Sequence, residues 1–236
     1  MLNFLPRHYE LILWDLDGTL LNFYPAERYA ITTTMAQFGL PVCTDAMVAC
    51  YSRINEQYWR RMELGEITKK QVLEGRFAQF FAELGCSVPE LATFNLAYQK
   101  NLGARVFFHE GAYELVDYLK GCLPQYAVTN GTSVAQALKL RNSGLDKLLD
   151  GAFISDQIGY EKPSPGFFAY VERHIPPVPK EKILLVGDSL TSDIQGGRNM
   201  GVHCCWFNPF RKETDFLEKV KPDYVITDLN ELQGIL

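Results

Sequence analysis

Six short apolar runs constrain what this chain can fold into. They are Leu11–Trp14, Tyr126–Val128, Ala152–Ile154, Ile183–Val186, His203–Phe207 and Tyr224–Ile226. Each is rich in branched or aromatic residues and bounded by Gly, Asp, Asn or Pro, as strands buried on both faces of a parallel sheet are. Between them lie segments with helical spacing: Glu114-Leu115-Tyr118-Leu119, Val134-Leu138-Arg141, Phe167–Val171 and Ile194–Met200. The alternation predicts an α/β fold built on a doubly wound parallel sheet.

One interval breaks the alternation. From Phe23 to Arg105 no run reads as a strand, whereas Ala46–Met62 and Lys69–Leu84 carry apolar residues three and four apart. Pro41, Gly65, Gly85 and Pro89 punctuate the interval. The pattern predicts about four helices inserted after the first strand, a second, smaller, all-helical domain. The boundaries expected are 1–21 and 106–236 for the sheet domain and 22–105 for the helical one. Leu20–Pro25 and Gly103–Glu110 are the expected hinges.

Composition narrows the functional classes. The chain has 236 residues, is 47% hydrophobic and carries a formal charge of −5, with Lys and Arg scattered. Without a basic block, a nucleic-acid polymer is not an expected partner. The six cysteines, at 43, 50, 86, 122, 204 and 205, form no C-x-x-C pair and accompany no His-rich tract. Neither a zinc site nor a disulfide framework is expected, and a reducing compartment is. The opening MLNFLPRHYE lacks a basic segment followed by a long apolar one, so no signal peptide is read there. No apolar run approaches the ~20 residues of a membrane span. The expectation is a cytoplasmic protein without a membrane partner; monomer and dimer both stay open.

Open α/β sheets bind ligands at the C-terminal ends of their strands. There the first run ends in Asp15-Leu16-Asp17-Gly18-Thr19 and the second in Thr129-Asn130-Gly131; Glu161-Lys162-Pro163 follows the third, and the fourth ends in Gly187-Asp188-Ser189, with Asp193 beyond. Core packing explains none of these. Several carboxylates in one cleft repel unless a cation joins them. Mg²⁺ needs one or two carboxylates, with water and a substrate phosphate completing its shell. Lys162 and the Thr129 hydroxyl suit the remaining phosphate oxygens. One carboxylate can attack phosphorus while a second moves protons.

The set DLDGT, TNG, Lys162-Pro163 and GDSLTSD, spanning residues 15 to 193, resembles the four signatures of the haloacid dehalogenase superfamily, in that family's order. The resemblance implies a Mg²⁺-dependent phosphomonoester hydrolase working through an aspartyl phosphate. It implies Asp15 as nucleophile and Asp17 as general acid/base. It assigns Thr129, Asn130 and Lys162 to the phosphoryl group. Asp15, the Asp17 carbonyl and Asp188 would hold Mg²⁺, with Asp193 supporting the metal's surroundings. The helical insertion resembles the family's C1 cap. Dehalogenases of the superfamily generally lack the second acid, which is present here as Asp17. The segments Gly65-Glu66-Ile67-Thr68, Glu74-Gly75-Arg76-Phe77, Ser192–Gly197, Asn199, Gly201 and Trp206-Phe207-Asn208 resemble the YjjG-type pyrimidine 5′-nucleotidases. Some members of that branch carry an acid where Gly18 stands. The resemblance implies a small phosphomonoester as partner, a nucleoside 5′-monophosphate first. Phosphoglycolate or sugar-phosphate hydrolysis, a β-phosphoglucomutase-like mutase and a non-catalytic phosphate-binding module are the alternatives.

Blander readings accompany these residues. Asp15 and Asp17 suit a turn, and Asp188 suits the N-cap of a helix over Ser189–Met200. Arg76 suits substrate contact or a salt bridge on a helix surface. Phe23, Tyr58, Trp59, Phe77 and Phe80 suit stacking on a base or, as helical spacing favours, packing. Of the histidines, His109 alone lies at a hinge.

Overall fold

The structure, a computed structural model, describes residues 8–87 and 89–236. The reading of the N-terminal segment therefore falls, over residues 1–7, outside the described residues. In chain order the elements are β1 (Leu11–Trp14), α1 (Phe23–Gln37), α2 (Asp45–Glu63), α3 (Lys69–Leu84), α4 (Leu91–Ala104), α5 (Ala112–Leu119), β2 (Gln125–Thr129), α6 (Ser133–Ser143), β3 (Gly151–Ile154), α7 (Ser155–Ile158), α8 (Pro165–His174), β4 (Ile183–Gly187), α9 (Gln195–Met200), β5 (His203–Phe207), α10 (Phe216–Val220) and β6 (Tyr224–Ile226). A π-helical turn, Leu190–Ile194, leads into α9.

Contacts divide the chain into two units. One comprises Met1–Asn22, Phe107–Ser133 and Ser143–Leu236; the other comprises Phe23–Val106 and Val134–Asn142. The second unit thus includes most of α6, a segment outside the expected 22–105 interval.

The first unit is a six-stranded parallel sheet in the order β3-β2-β1-β4-β5-β6. All four residues of β1 are buried, because strands flank it on both sides and helices cover both faces. Leu11 and Leu13 join Val128, Leu185, Phe167, Phe168 and Val171 in one cluster. On the other face Trp14 Nε1 donates to Gln125 Oε1 at 3.0 Å, and Gln125 Nε2 donates to the Val116 carbonyl of α5 at 3.0 Å. That pairing lets a polar residue open the buried strand β2. At Gly196 an added Cβ would lie 2.2 Å from Phe168 Cε2, and at Gly197 2.4 Å from Cys204 Sγ. This glycine pair permits close approach.

The second unit packs around aromatics. Tyr51 stacks on Phe77 at 5.3 Å, and Phe77 meets Phe94 and Tyr98 edge-on at 5.0 and 5.1 Å. Phe77 and Phe80 are fully buried, which is the packing role. The helix ends follow local chemistry. Thr44 and Thr68 cap α2 and α3, Gln71 completes a capping box, and Gly85 closes α3 in the left-handed region. Among the described residues no helix is long and apolar enough to cross a membrane.

Gly196→Ala is expected to lower stability by about 1–3 kcal/mol, the usual range for overpacking a filled core. A melting temperature equal to the wild type would show that Phe168 has room to move.

Candidate active site

The site is assembled from strand ends, all within the sheet unit. Asp15 follows β1 directly and is held by its own N–H, which donates to the Val186 carbonyl at 2.9 Å. Beyond it the chain folds tightly: Leu21 N–H donates to Leu16 O and Gly18 N–H to Leu21 O, each at 2.8 Å. Gly18 sits at φ +98, and a Cβ there would come within 2.4 Å of Asp188 Oδ2. The left-handed backbone strains any side chain at this position, and a Cβ there would require the Asp188 carboxylate to shift.

Lys162 stands at the centre. Its ammonium donates to Asp15 Oδ1 at 2.7 Å, to Asp193 Oδ1 at 2.6 Å and to the Val128 carbonyl at 2.8 Å. Three N–H groups thus have three acceptors within the protein. Lys162 and Asp193 are each 1% exposed. Burial alone would lower the lysine's pKa, but the carboxylates of Asp15 and Asp193 outweigh it and raise it. For Asp15 burial is the larger effect. It lifts the carboxyl from 3.8 to about 7 against the opposing charge of Lys162, with Asp193 and Asp17 adding to the rise.

The remaining oxygens have distinct surroundings. Asp193 Oδ2 accepts from Ser189 N–H at 3.1 Å, so both its oxygens are held by the protein. Asp15 Oδ2 is buried without a hydrogen-bond partner. Carboxylate oxygens of Asp15, Asp188 and Asp193 lie within 4.8 Å of one another. An all-oxygen set of clustered carboxylates suits a hard divalent cation. The loop bearing Asp188 is anchored by Trp206 Nε1, which donates to the Asp188 carbonyl at 2.8 Å. Asp188 does not cap the following helix. Ser189 does so, its hydroxyl accepting from Ser192 N–H at 3.1 Å.

Asp15, Thr129, Asn130 and Asp188 thus lie at the ends of β1, β2 and β4, Lys162 in the loop after α7 and Asp193 in the π-helical turn that follows β4. Thr129 closes β2, its hydroxyl accepting from Gly131 N–H at 3.2 Å. Asn130 turns its side-chain amide to the backbone of Lys162. Asp17 is half-buried beside a bridge to Leu21.

The weaker candidates are in the helical unit. Arg76 is buried and donates to Asn55 Oδ1 at 2.8 Å and to Asn95 Oδ1 at 2.9 Å. Asn55 in turn donates to Glu27 Oε1 at 2.7 Å, where burial raises the glutamate's pKa. This relay links all four helices from α1 to α4 and replaces the surface salt bridge read for Arg76. Phe23 opens α1 with the Lys139 ammonium 5.4 Å above its ring. Two participants in the site escaped sequence reasoning, the Val128 carbonyl and the Ser189 N–H. Both are backbone groups and leave no mark in side-chain identity.

A family model described as haloacid dehalogenase-like hydrolase matches residues 9–201. The chain is 35% identical over 230 residues to YfnB of Bacillus subtilis, named a HAD-hydrolase, covering 98% of this chain and 96% of YfnB. A crystal structure of YfnB bound to magnesium matches with a TM-score of 0.91, over 98% of this chain and 99% of that one. PynA of Streptococcus pneumoniae, a pyrimidine 5′-nucleotidase, is 33% identical over 229 residues, covering 97% and 95%. YjjG of Escherichia coli, also named a pyrimidine 5′-nucleotidase, is 28% identical over 235 residues, covering 97% and 98%.

The raised pKa of Asp15 has a sign. A carboxyl that holds its proton more tightly when folded stabilises the fold below its ordinary 3.8 and loses that contribution as pH rises through about 7. A divalent cation competes with that proton for the carboxylates. Added Mg²⁺ is therefore expected to raise the melting temperature more at about pH 8 than at about pH 5. Equal shifts at both pH values, measured by differential scanning fluorimetry, would argue that the acids do not form the cation site.

Proposed function

We propose, since the chain belongs to the haloacid dehalogenase-like hydrolase family, that it hydrolyses small phosphomonoesters in a Mg²⁺-dependent reaction through an aspartyl phosphate, with pyrimidine nucleoside 5′-monophosphates first among its substrates. The observation that carries the chemistry is the state of Asp15. One of its oxygens is held by a buried ammonium at 2.7 Å, and the other is buried and unpartnered. A carboxylate fixed in this way presents an oxygen to an incoming phosphorus in a single orientation. The substrate class is supported by likeness to PynA and YjjG over nearly the whole chain.

Asp15, the Asp17 carbonyl and Asp188 would hold Mg²⁺. When bound, the ion offsets charge on the phosphoryl oxygens and on the clustered carboxylates. Asp15 attacks phosphorus, the ester P–O bond breaks, and Asp17 gives its proton to the leaving alkoxide. A water then attacks the phosphoryl group, Asp17 takes that water's proton, and the bond to Asp15 breaks. Lys162 offsets the negative charge of the Asp15 and Asp193 carboxylates before attack and again after the bond to phosphorus breaks, and the Thr129 hydroxyl donates to a phosphoryl oxygen. The helical unit, Phe23–Val106 with Val134–Asn142, would carry the role that the family resemblance gives a cap, selection of the leaving group. Arg76 acts on specificity through the relay that orders the cap helices, and Phe23 at the cap's first residue contributes apolar surface.

Asp15→Asn is expected to remove turnover while leaving a folded protein, and Asp17→Asn to slow both half-reactions. Phosphate release from an aryl phosphate, with circular dichroism as the folding control, measures both. Retained activity in Asp15→Asn would dismiss it as nucleophile. In a screen of nucleotides, sugar phosphates and phosphoglycolate, pyrimidine monophosphates are expected to rank highest by kcat/KM. A sugar phosphate at the top would overturn the substrate class and leave the chemistry standing.

A further inference from the structure

Asn130 occupies an unusual place beside the phosphate-binding strand end. It follows Thr129 directly, where a side-chain amide facing a substrate phosphoryl group would be expected. Its side chain instead faces a loop 32 residues further along. Lys162 N–H donates to Asn130 Oδ1 at 2.7 Å, and Asn130 Nδ2 donates to the Lys162 carbonyl at 2.9 Å. One amide thus pairs with both backbone polar groups of a single residue, as a neighbouring strand would. Lys162 lies outside any helix or strand, and among the described residues no backbone group bonds to its N–H or carbonyl. Both residues are buried, with Asn130 9% and Lys162 1% exposed. Water is therefore a poor substitute for either bond.

What the amide holds is also unusual. The same Lys162 sends its ammonium to Asp15, Asp193 and the Val128 carbonyl, each at 2.6–2.8 Å. Three short bonds demand that the lysine's Cα be placed accurately, because a flexible four-carbon stem does not fix the ammonium by itself. The geometry points to Asn130 as a positioning residue: it fixes the backbone of Lys162 so that the ammonium meets Asp15 and Asp193 together, and so sets the reactivity of Asp15 without binding the phosphoryl group. This inference rests on the reading of Asp15 as the nucleophile of a phosphomonoesterase.

The test uses the full chain with Mg²⁺ and an aryl phosphate, comparing wild type, Asn130→Ala, Asn130→Asp, Lys162→Met and the Asn130→Ala/Lys162→Met pair. Asn130→Ala is expected to lower kcat on the order of 100-fold, the penalty of a misplaced catalytic group, with KM and inhibition by inorganic phosphate nearly unchanged. Asn130→Asp keeps the acceptor for Lys162 N–H and loses the donor to the carbonyl, so its kcat is expected between wild type and Asn130→Ala. In the Lys162→Met background, Asn130→Ala is expected to have no further effect on kcat. A raised KM, or weakened inorganic phosphate inhibition with kcat preserved, would make Asn130 a phosphoryl ligand and overturn the inference. So would an equal fold-loss from Asn130→Ala with and without Lys162. If Lys162→Met does not fold, the order of Asn130→Asp and Asn130→Ala decides: equal kcat in the two overturns the inference. Loss of the underlying reading has a different signature, turnover by Asp15→Asn.

Discussion

The structure of the site depends on one buried cation. Lys162 lies between Asp15 and Asp193, with bonds of 2.7 and 2.6 Å and almost no solvent contact. Two carboxylates at this depth would otherwise repel each other and take up protons. A buried ion pair is weak evidence for stability, since desolvation offsets most of the attraction. Its effect here is directional. It holds one oxygen of Asp15 and leaves the other unpartnered, which is the asymmetry a nucleophilic carboxylate needs.

The fold supplies this arrangement from distant parts of the chain. Parallel pairing sets β1 beside β2 and β4, so that Trp14 aligns with Ala127 and with Val186. The residues that follow each strand then emerge on one rim. Small residues allow the rim to close. A Cβ at Gly18 would overlap Asp188, and one at Gly187 would lie 2.3 Å from Asp193 Cγ. The acids are therefore crowded because glycine backbones make room for them, and the crowding itself calls for a cation.

Much of this was legible before any coordinates. The central strands β1 and β4 read as apolar runs because every residue in them is buried, and the edge strand β6 reads as one although Val225 is exposed. The strand ends differ where tertiary pairing overrides composition. Gln125 belongs to β2 because Trp14 and Val116 satisfy its amide, a contact no local pattern announces. The acids, Thr129 and Lys162 were legible as unexplained polar residues at strand ends. What they bond to was not, since the Val128 carbonyl and Ser189 N–H are backbone groups. Grouping of α6 with the helical unit was also hidden. It rests on Gly103, where a Cβ would lie 2.5 Å from Leu138 Cβ, and on Asn142 Nδ2 donating to the Gly103 carbonyl at 2.8 Å. Arg76 suits substrate contact or a surface salt bridge in the sequence, because helical spacing does not reveal that Asn55 and Asn95 await it inside.

The central claim is that Asp15 itself carries the phosphoryl group between the two half-reactions. Acid quenching during turnover, followed by mass spectrometry of the proteolysed enzyme, tests this directly. The account predicts a phosphoryl mass increment on the peptide containing Asp15, absent without Mg²⁺. Steady turnover with that peptide unmodified at every quench time, or with the increment on another residue, would contradict it.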